Sequence, residues 1–272
     1  MLTDTRNSVN AKVHPVDGLD VEWTGGLWKE RFDTCAASTV PQLQHMFESK
    51  DISHVLENFR ICAGEAEGDF DGTVFGDGDF YKWMESAIYT AGKQKNQEML
   101  DKIEEYVALI EKAQQPDGYI STKQIIGERQ NNGVKRMGDI DDFEVYNFGH
   151  LFTAACLHKR ITGKDSFMNI AVKTADYLEH LYEEAQKTGD VQTAVCPSHY
   201  MGLVEMYRTT GDKRYLHLAE LAVQLRDGVK NGLDDNQDRI PLKQHDKIIG
   251  HAVRANYLYA GVADLCLEAT QG

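Results

Sequence analysis

Three histidines are the residues of this 272-residue chain whose type and spacing most invite chemistry. His150, His199 and His251 stand 49 and 52 positions apart, each where a new helical unit begins. A neutral imidazole donates from one ring nitrogen and accepts at the other, so it can orient a pair of hydroxyls without placing a full charge in a pocket. Four more residues accompany them as candidate ligand contacts. Glu144 and Tyr146 precede His150 by six and four positions, Arg254 lies one turn beyond His251, and Asp79 opens an apolar helical stretch. Each type also has an ordinary structural use. A histidine can be a bonded core or capping residue, Glu144 can cap its helix, Asp79 can satisfy the free amides and dipole of a helix start, and Arg254 can pair with a carboxylate. Three histidines are a zinc set by residue type. No carboxylates are spaced to orient the rings, however, and no metal is assigned.

The elements that must carry these residues are helices. Apolar residues recur at helical spacing through Met99, Leu100, Ile103, Tyr106, Val107, Ile110 and Ala113, and the same pattern fills 165–185 and 213–226. A turn recurs between helices. Ile161-Thr162-Gly163-Lys164-Asp165 is echoed by Thr209-Thr210-Gly211-Asp212, with glycine closing one helix and aspartate placed to cap the next. The glycines are 48 residues apart, and a period near fifty in helical hairpins predicts an α-solenoid or a closed toroid. The three histidines then sit at the amino-terminal ends of inner helices, which in a toroid converge on the central cavity.

Longer segments punctuate the hairpins. Residues 60–78, rich in glycine and acidic residues, and 115–141, opening with Pro116-Asp117-Gly118-Tyr119, read as loops. Residues 1–30 read as an extended amino-terminal segment, with short edge strands at Val9 to Val13 and Leu19 to Trp23, ahead of a helical-hairpin domain over 31–272. The run Asp234-Asp235-Asn236-Gln237-Asp238 lacks the glycine and terminal glutamate of a calcium loop and reads as a solvated acidic loop.

Composition narrows the partners. With 42% hydrophobic residues there is material for a large core, and 29 basic against 43 acidic residues give a net charge of -14. That charge argues against nucleic acid and anionic membranes, leaving neutral ligands such as sugars. Five cysteines, odd in number and widely spaced, read as reduced thiols. No membrane span or secretory leader is legible, so with Met1 as the natural start a cytoplasmic protein is expected.

Four ordered motifs resemble one family. They are Asp77-Gly78-Asp79-Phe80-Tyr81-Lys82-Trp83-Met84-Glu85, Ala113-Gln114-Gln115-Pro116-Asp117-Gly118-Tyr119-Ile120, Glu144-Val145-Tyr146-Asn147-Phe148-Gly149-His150, and Gly250-His251-Ala252-Val253-Arg254-Ala255 with the Tyr257-Leu258-Tyr259-Ala260-Gly261 run behind it. These are similar to segments of the beta-L-arabinofuranosidases, zinc- and cysteine-dependent glycoside hydrolases with an (α/α)6 barrel. The resemblance implies an all-α, (α/α)6 toroid of helical hairpins, incomplete at its carboxyl end, with eight or nine helices in about four pairs. It implies hydrolysis of arabinofuranosides or related plant-type glycans, with His150, His199, His251, Glu144, Tyr146, Arg254 and Asp79 around the sugar.

In that family the acid/base glutamate, and a zinc held by a glutamate and three cysteines, follow the Gly-His-Ala-Val-Arg-Ala helix. None of the five cysteines here matches them. The catalytic residues and zinc are therefore expected beyond residue 272, and this chain alone is expected to hold no cofactor and to be inactive. Two other readings stay open: a non-catalytic sugar-binding or scaffold module, and another (α/α)6 sugar enzyme such as an N-acylglucosamine epimerase or an unsaturated glucuronyl hydrolase. An incomplete toroid leaves apolar helix faces in water, so self-association or a complementing carboxyl-terminal segment is also expected.

Overall fold

The computed structural model describes residues 3–190 and 194–269. The chain enters through one long helix, composed of α1 (Gly26–Thr34), a π-helical turn at Cys35–Thr39 and α2 (Val40–Glu48). Pro41 has no N–H for the i−4 carbonyl, and the widened turn just before it lets the helix continue. There follow α3 (Val55–Ala63), α4 (Gly76–Gln94), α5 (Gln97–Ala113), α6 (Thr122–Gln130), α7 (Glu144–Thr162), α8 (Ser166–Thr188), α9 (His199–Thr210), α10 (Lys213–Arg226) and α11 (Ala252–Glu268).

These helices form two layers. In the inner one α2 packs on α4, α4 on α7, α7 on α9 and α9 on α11; in the outer one α3 packs on α5, α5 on α8 and α8 on α10. The layering follows from the sequence. α7 is buried on nearly every face, whereas α5 and α8 bury a single stripe and carry charges on the rest. Among the described residues this makes four inner–outer pairs and the inner helix of a fifth, an all-α toroid of helical hairpins. The recurring turns take the expected form, with Gly163 at φ 74° and Gly211 at φ 75°. Asp212 caps α10 through the Arg214 amide, whereas Asp165 instead pairs with Lys159 at 2.6 Å.

Several expectations change. No strand forms at Val9 to Val13 or Leu19 to Trp23, because no neighbouring strand exists among the described residues to pair with them. Helix begins at Gly26, ahead of the expected boundary, and helix α6 interrupts the 115–141 loop. Both were hidden because α1 buries nothing and α6 carries adjacent Ile125 and Ile126 beside Gly127, so neither shows a one-sided apolar stripe. Eleven α-helices thus stand among the described residues instead of eight or nine. The acidic loop at 234–238 is not wholly solvated either, since Asn236 and Gln237 are buried in it.

Glycines set the inner spacing. A Cβ on Gly202 would stand 2.7 Å from the Gly149 carbonyl oxygen, one on Gly149 would fall within the backbone of Ser198 and His199, and one on Gly261 would lie 2.5 Å from the Tyr200 Cβ. The carboxyl-terminal ends of the inner helices are tied by charge. Arg208, in the last turn of α9, bonds to Glu205 at 2.6 Å, Asp264 at 2.8 Å and Glu268 at 2.6 Å, and Arg160 of α7 reaches Glu205 at 2.6 Å. The amino-terminal segment crosses this end. Asn10 donates to the Cys266 and Leu267 carbonyls of α11 and to that of Ala269 just past its end, and Lys93 of α4 donates to the carbonyls of Gly18, Leu19 and Val21. The outward side of α11 and the start of α1 stay uncovered, with Val253 49%, Leu27 58% and Trp28 69% exposed.

Gly149→Ala forces α7 and α9 apart and is expected to lower stability to urea by about 1–3 kcal/mol. Gly25→Ala, with open space around it, is expected to change stability by less than about 0.5 kcal/mol. Equal unfolding midpoints for the two variants contradict the packing argument.

Candidate sugar site at the amino-terminal ends of the inner helices

Because each outer helix returns the chain, all inner helices run the same way and their amino-terminal ends gather on one face. Helix α4 sets Asp79 and Lys82 one turn apart, where opposite charges meet at 2.6 Å. The Lys82 ammonium also donates to the Tyr146 hydroxyl at 2.8 Å and lies 5.3 Å from that ring's centre. Tyr146 and His150 are neighbours one turn apart on α7, with ring centroids 4.7 Å apart. From α11, Tyr257 places its hydroxyl 2.9 Å from His150 Nε2 and its ring edge-on to Tyr146 at 5.9 Å. Cys196 and Val195, just before α9, join Tyr146 in a small apolar cluster bordered by Phe143 and Tyr257. Arg254, one turn before Tyr257, pairs with Asp235 at 2.6 Å and lies beside the Cys196 thiol.

Burial governs the charge state of this floor. It lowers the His150 pKa to about 3, helped by the nearby Lys82 charge, so the ring is neutral at any physiological pH. Burial and the Asp79 charge push Tyr146 up to about 12, and burial raises Tyr257 and, against the pull of Arg254, Cys196. A turn deeper, Glu85 of α4 accepts a hydrogen bond from Thr153 of α7, and burial pushes its pKa up to about 7. The result is an aromatic floor of uncharged hydrogen-bonding groups, rimmed by two cations that are each held by a carboxylate. Such a surface stacks on a sugar face and exchanges hydrogen bonds with hydroxyls.

The residues singled out in the sequence divide. Asp79, Tyr146, His150 and Arg254 come together here. His199, the first residue of α9, is 1% exposed and turned to the outer layer, with Nε2 2.9 Å from the Tyr182 hydroxyl of α8. His251 is exposed and caps α11, its Nδ1 accepting from the Val253 amide. Glu144 opens α7 but accepts from the Tyr119 hydroxyl and the Met137 amide. It lines a cavity of about 260 Å³ with Tyr182, Tyr200 and Leu225, and Phe143, Tyr146 and Val195 of the floor's apolar cluster line the same cavity. Lys82, Glu85 and Tyr257 were missed, although helical spacing offered a signal: Asp79, Lys82 and Glu85 share one face of α4, as Arg254 and Tyr257 share one of α11.

Among the described residues no three His, Cys, Asp or Glu side chains converge as metal ligands. Cys62 and Cys156 are sealed elsewhere in the core, and Cys196 faces cations. These residues do not fit a zinc centre, and no step is derived through one. Among the described residues no helix is long and apolar enough to cross a membrane.

A family profile described as beta-L-arabinofuranosidase, GH127 catalytic domain, matches residues 20–271. The chain belongs to this family of glycoside hydrolases. It is similar to a non-reducing end beta-L-arabinofuranosidase of Bifidobacterium longum, 29% identical over 286 residues that cover 90% of this chain and 43% of that protein. A solved GH127 beta-L-arabinofuranosidase from Geobacillus stearothermophilus T6 superposes with a TM-score of 0.78 at 30% identity, covering 91% of this chain and 42% of that one. A solved GH127 beta-arabinofuranosidase gives a TM-score of 0.77 at 29% identity, covering 92% and 40%. The chain therefore spans about two-fifths of the length of these relatives.

Glu85 supplies a pH test. Its folded pKa, about 7, lies above the ordinary 4.5, so its burial is harmless below about pH 4.5 and costs stability as pH rises toward 7. Glu85→Gln removes that cost. The stability of the variant relative to the parent is expected to climb between pH 5 and pH 8 by on the order of 1–2 kcal/mol, read from urea midpoints. A pH-independent difference contradicts the burial argument.

Proposed function

We propose that this chain is the sugar-recognising part of a beta-L-arabinofuranosidase toroid: it binds a terminal arabinofuranoside, or a related plant-type glycan residue, over the Tyr146–His150–Tyr257 floor, and does not cleave it alone. The observation that carries the reading is the hydrogen-bonded set Lys82, Tyr146, His150 and Tyr257, drawn from three inner helices onto the face where those helices begin. Membership in a glycoside hydrolase family and similarity to proteins named as arabinofuranosidases support the substrate class.

Binding without turnover is supported by the state of the two rim carboxylates. Glycoside hydrolysis calls for a group that protonates the leaving oxygen and a second that attacks or activates water. Asp79 and Asp235 are instead each held by a cation, at 2.6 Å in both cases. The uncovered side of α11 further supports a toroid whose remaining wall comes from outside the described residues, either a complementing segment or a second copy of the chain.

Titration calorimetry with methyl β-L-arabinofuranoside is expected to show saturable millimolar binding, and His150→Ala to weaken it at least about tenfold, or ~1.4 kcal/mol. The p-nitrophenyl β-L-arabinofuranoside is expected to release no nitrophenol. Absence of binding overturns the substrate class, whereas turnover that scales with protein overturns the inactive reading. In sedimentation, a monodisperse and highly stable monomer speaks against a missing wall.

A further inference from the structure

The cavity of about 260 Å³ lined by Glu144 shares Phe143, Tyr146 and Val195 with the sugar floor, yet its walls have a different chemistry. It lies where the amino-terminal ends of α7 and α9 meet the carboxyl-terminal ends of α8 and α10. Most of the lining is aromatic or aliphatic: Tyr182 of α8, Tyr200 of α9 and Leu225 of α10 join the three shared residues. A dry apolar cavity of about 150 Å³ takes up benzene, so this one has room for a single ring with a short substituent.

The buried polar groups of these walls are already engaged. Glu144 accepts from the Tyr119 hydroxyl and the Met137 amide, the Tyr182 hydroxyl is bonded to His199 Nε2, and Arg226 Nη2 donates to the Asn236 carbonyl. The Nε and Nη1 of Arg226 have no partner, but both are sealed from solvent and so offer no donor to a molecule in the cavity. A sugar ring gives up its water only where several hydroxyls find new partners, and few are free here. An apolar ring has no such need, and it gains from burial and from edge-to-face contact with the wall aromatics. Charge selects further. The exposed part of the lining carries Asp139, Glu184 and Asp190, so an anionic substituent would meet three carboxylates.

We propose that this cavity is a second binding site of the chain, and that its ligand is an uncharged molecule with a single aromatic ring. The ring lies among Phe143, Tyr182, Tyr200 and Leu225, and no sugar hydroxyls are needed to hold it. The site stands without the sugar-binding reading, because it takes a different class of ligand.

The test uses benzyl alcohol as the probe, titrated into the whole chain and followed by saturation-transfer NMR, with benzoate and methyl β-L-arabinofuranoside measured alongside. Benzyl alcohol is expected to bind saturably, and benzoate to bind at least about fivefold more weakly. Ala222 of α10 and Ala185 of α8 both line the cavity. Ala222→Phe and Ala185→Phe each place a ring inside it, and each is expected to weaken benzyl alcohol at least about tenfold. Circular dichroism and urea midpoints report whether each variant keeps its fold; Ala185 is only half-buried, so its variant decides if Ala222→Phe does not fold. Absence of benzyl alcohol binding overturns the proposal, as does binding that survives the folded variants or benzoate binding as tightly. Methyl β-L-arabinofuranoside weakened by the same variants as strongly as benzyl alcohol makes the cavity a sugar subsite and overturns it too. If the benzyl alcohol results hold but that sugar does not bind, the sugar reading fails and this site remains.

Discussion

Adjacent inner helices approach until backbone lies against side-chain roots, and this is possible only where no Cβ holds them apart. Gly78 lies against Asn147, Gly149 against Ser198 and His199, Gly202 against Gly149, and Gly261 against Tyr200. Every inner contact from α4 to α11 therefore contains a glycine. The polar side chains of the site stand about a turn away from these crossings: Lys82 above Gly78, Tyr146 and His150 beside Gly149, and Tyr257 before Gly261. The 2.8 Å contact between Lys82 and Tyr146 bridges the packed pair α4 and α7, whereas the 2.9 Å contact between Tyr257 and His150 joins α11 to α7 past α9 and so depends on both the α7–α9 and the α9–α11 spacing.

The two ends of the inner layer are finished differently. At the carboxyl-terminal end, ionised groups neutralise one another around Arg208, and the amino-terminal segment lies across them from α11 to α4. Breaking such a buried set leaves an uncompensated charge, which holds that end in one arrangement. At the amino-terminal end the floor carries less charge instead, because burial keeps His150 neutral and raises the Glu85 pKa to about 7. In a chain with a net charge of -14, this floor differs in charge from the acidic surface around it.

The sequence was most legible where one physical signal acted alone. Residues 213–226 carry a clean apolar stripe and form α10 over that range, and Gly163 and Gly211 close their helices as their lack of a Cβ allows. It was least legible where burial is shared among several faces or absent, as in α6 and α1. For the site, residue type was a poorer guide than register. His150, His199 and His251 share a period, yet they occupy the second turn, the first residue and the cap of their helices, and a residue or two of offset points a side chain elsewhere. That offset sends His199 toward Tyr182 and leaves His251 on the surface. Helical register sets Lys82 beside Asp79 and Tyr257 beside Arg254, but their meeting with Tyr146 and His150 of α7 spans 64 and 107 residues, and no local pattern encodes it.

If glycine spacing governs the site, disturbing it at a distance must disturb the hydrogen bonds. A crystal structure of Gly261→Ala is the most direct measurement. The added Cβ meets Tyr200, so the account predicts that α11 moves away from α9 and that the 2.9 Å contact between Tyr257 and His150 is lost, while α4, α7 and α9 keep their places. An unmoved α11 with that contact intact contradicts the claim that the inner-helix glycines set the geometry of the site.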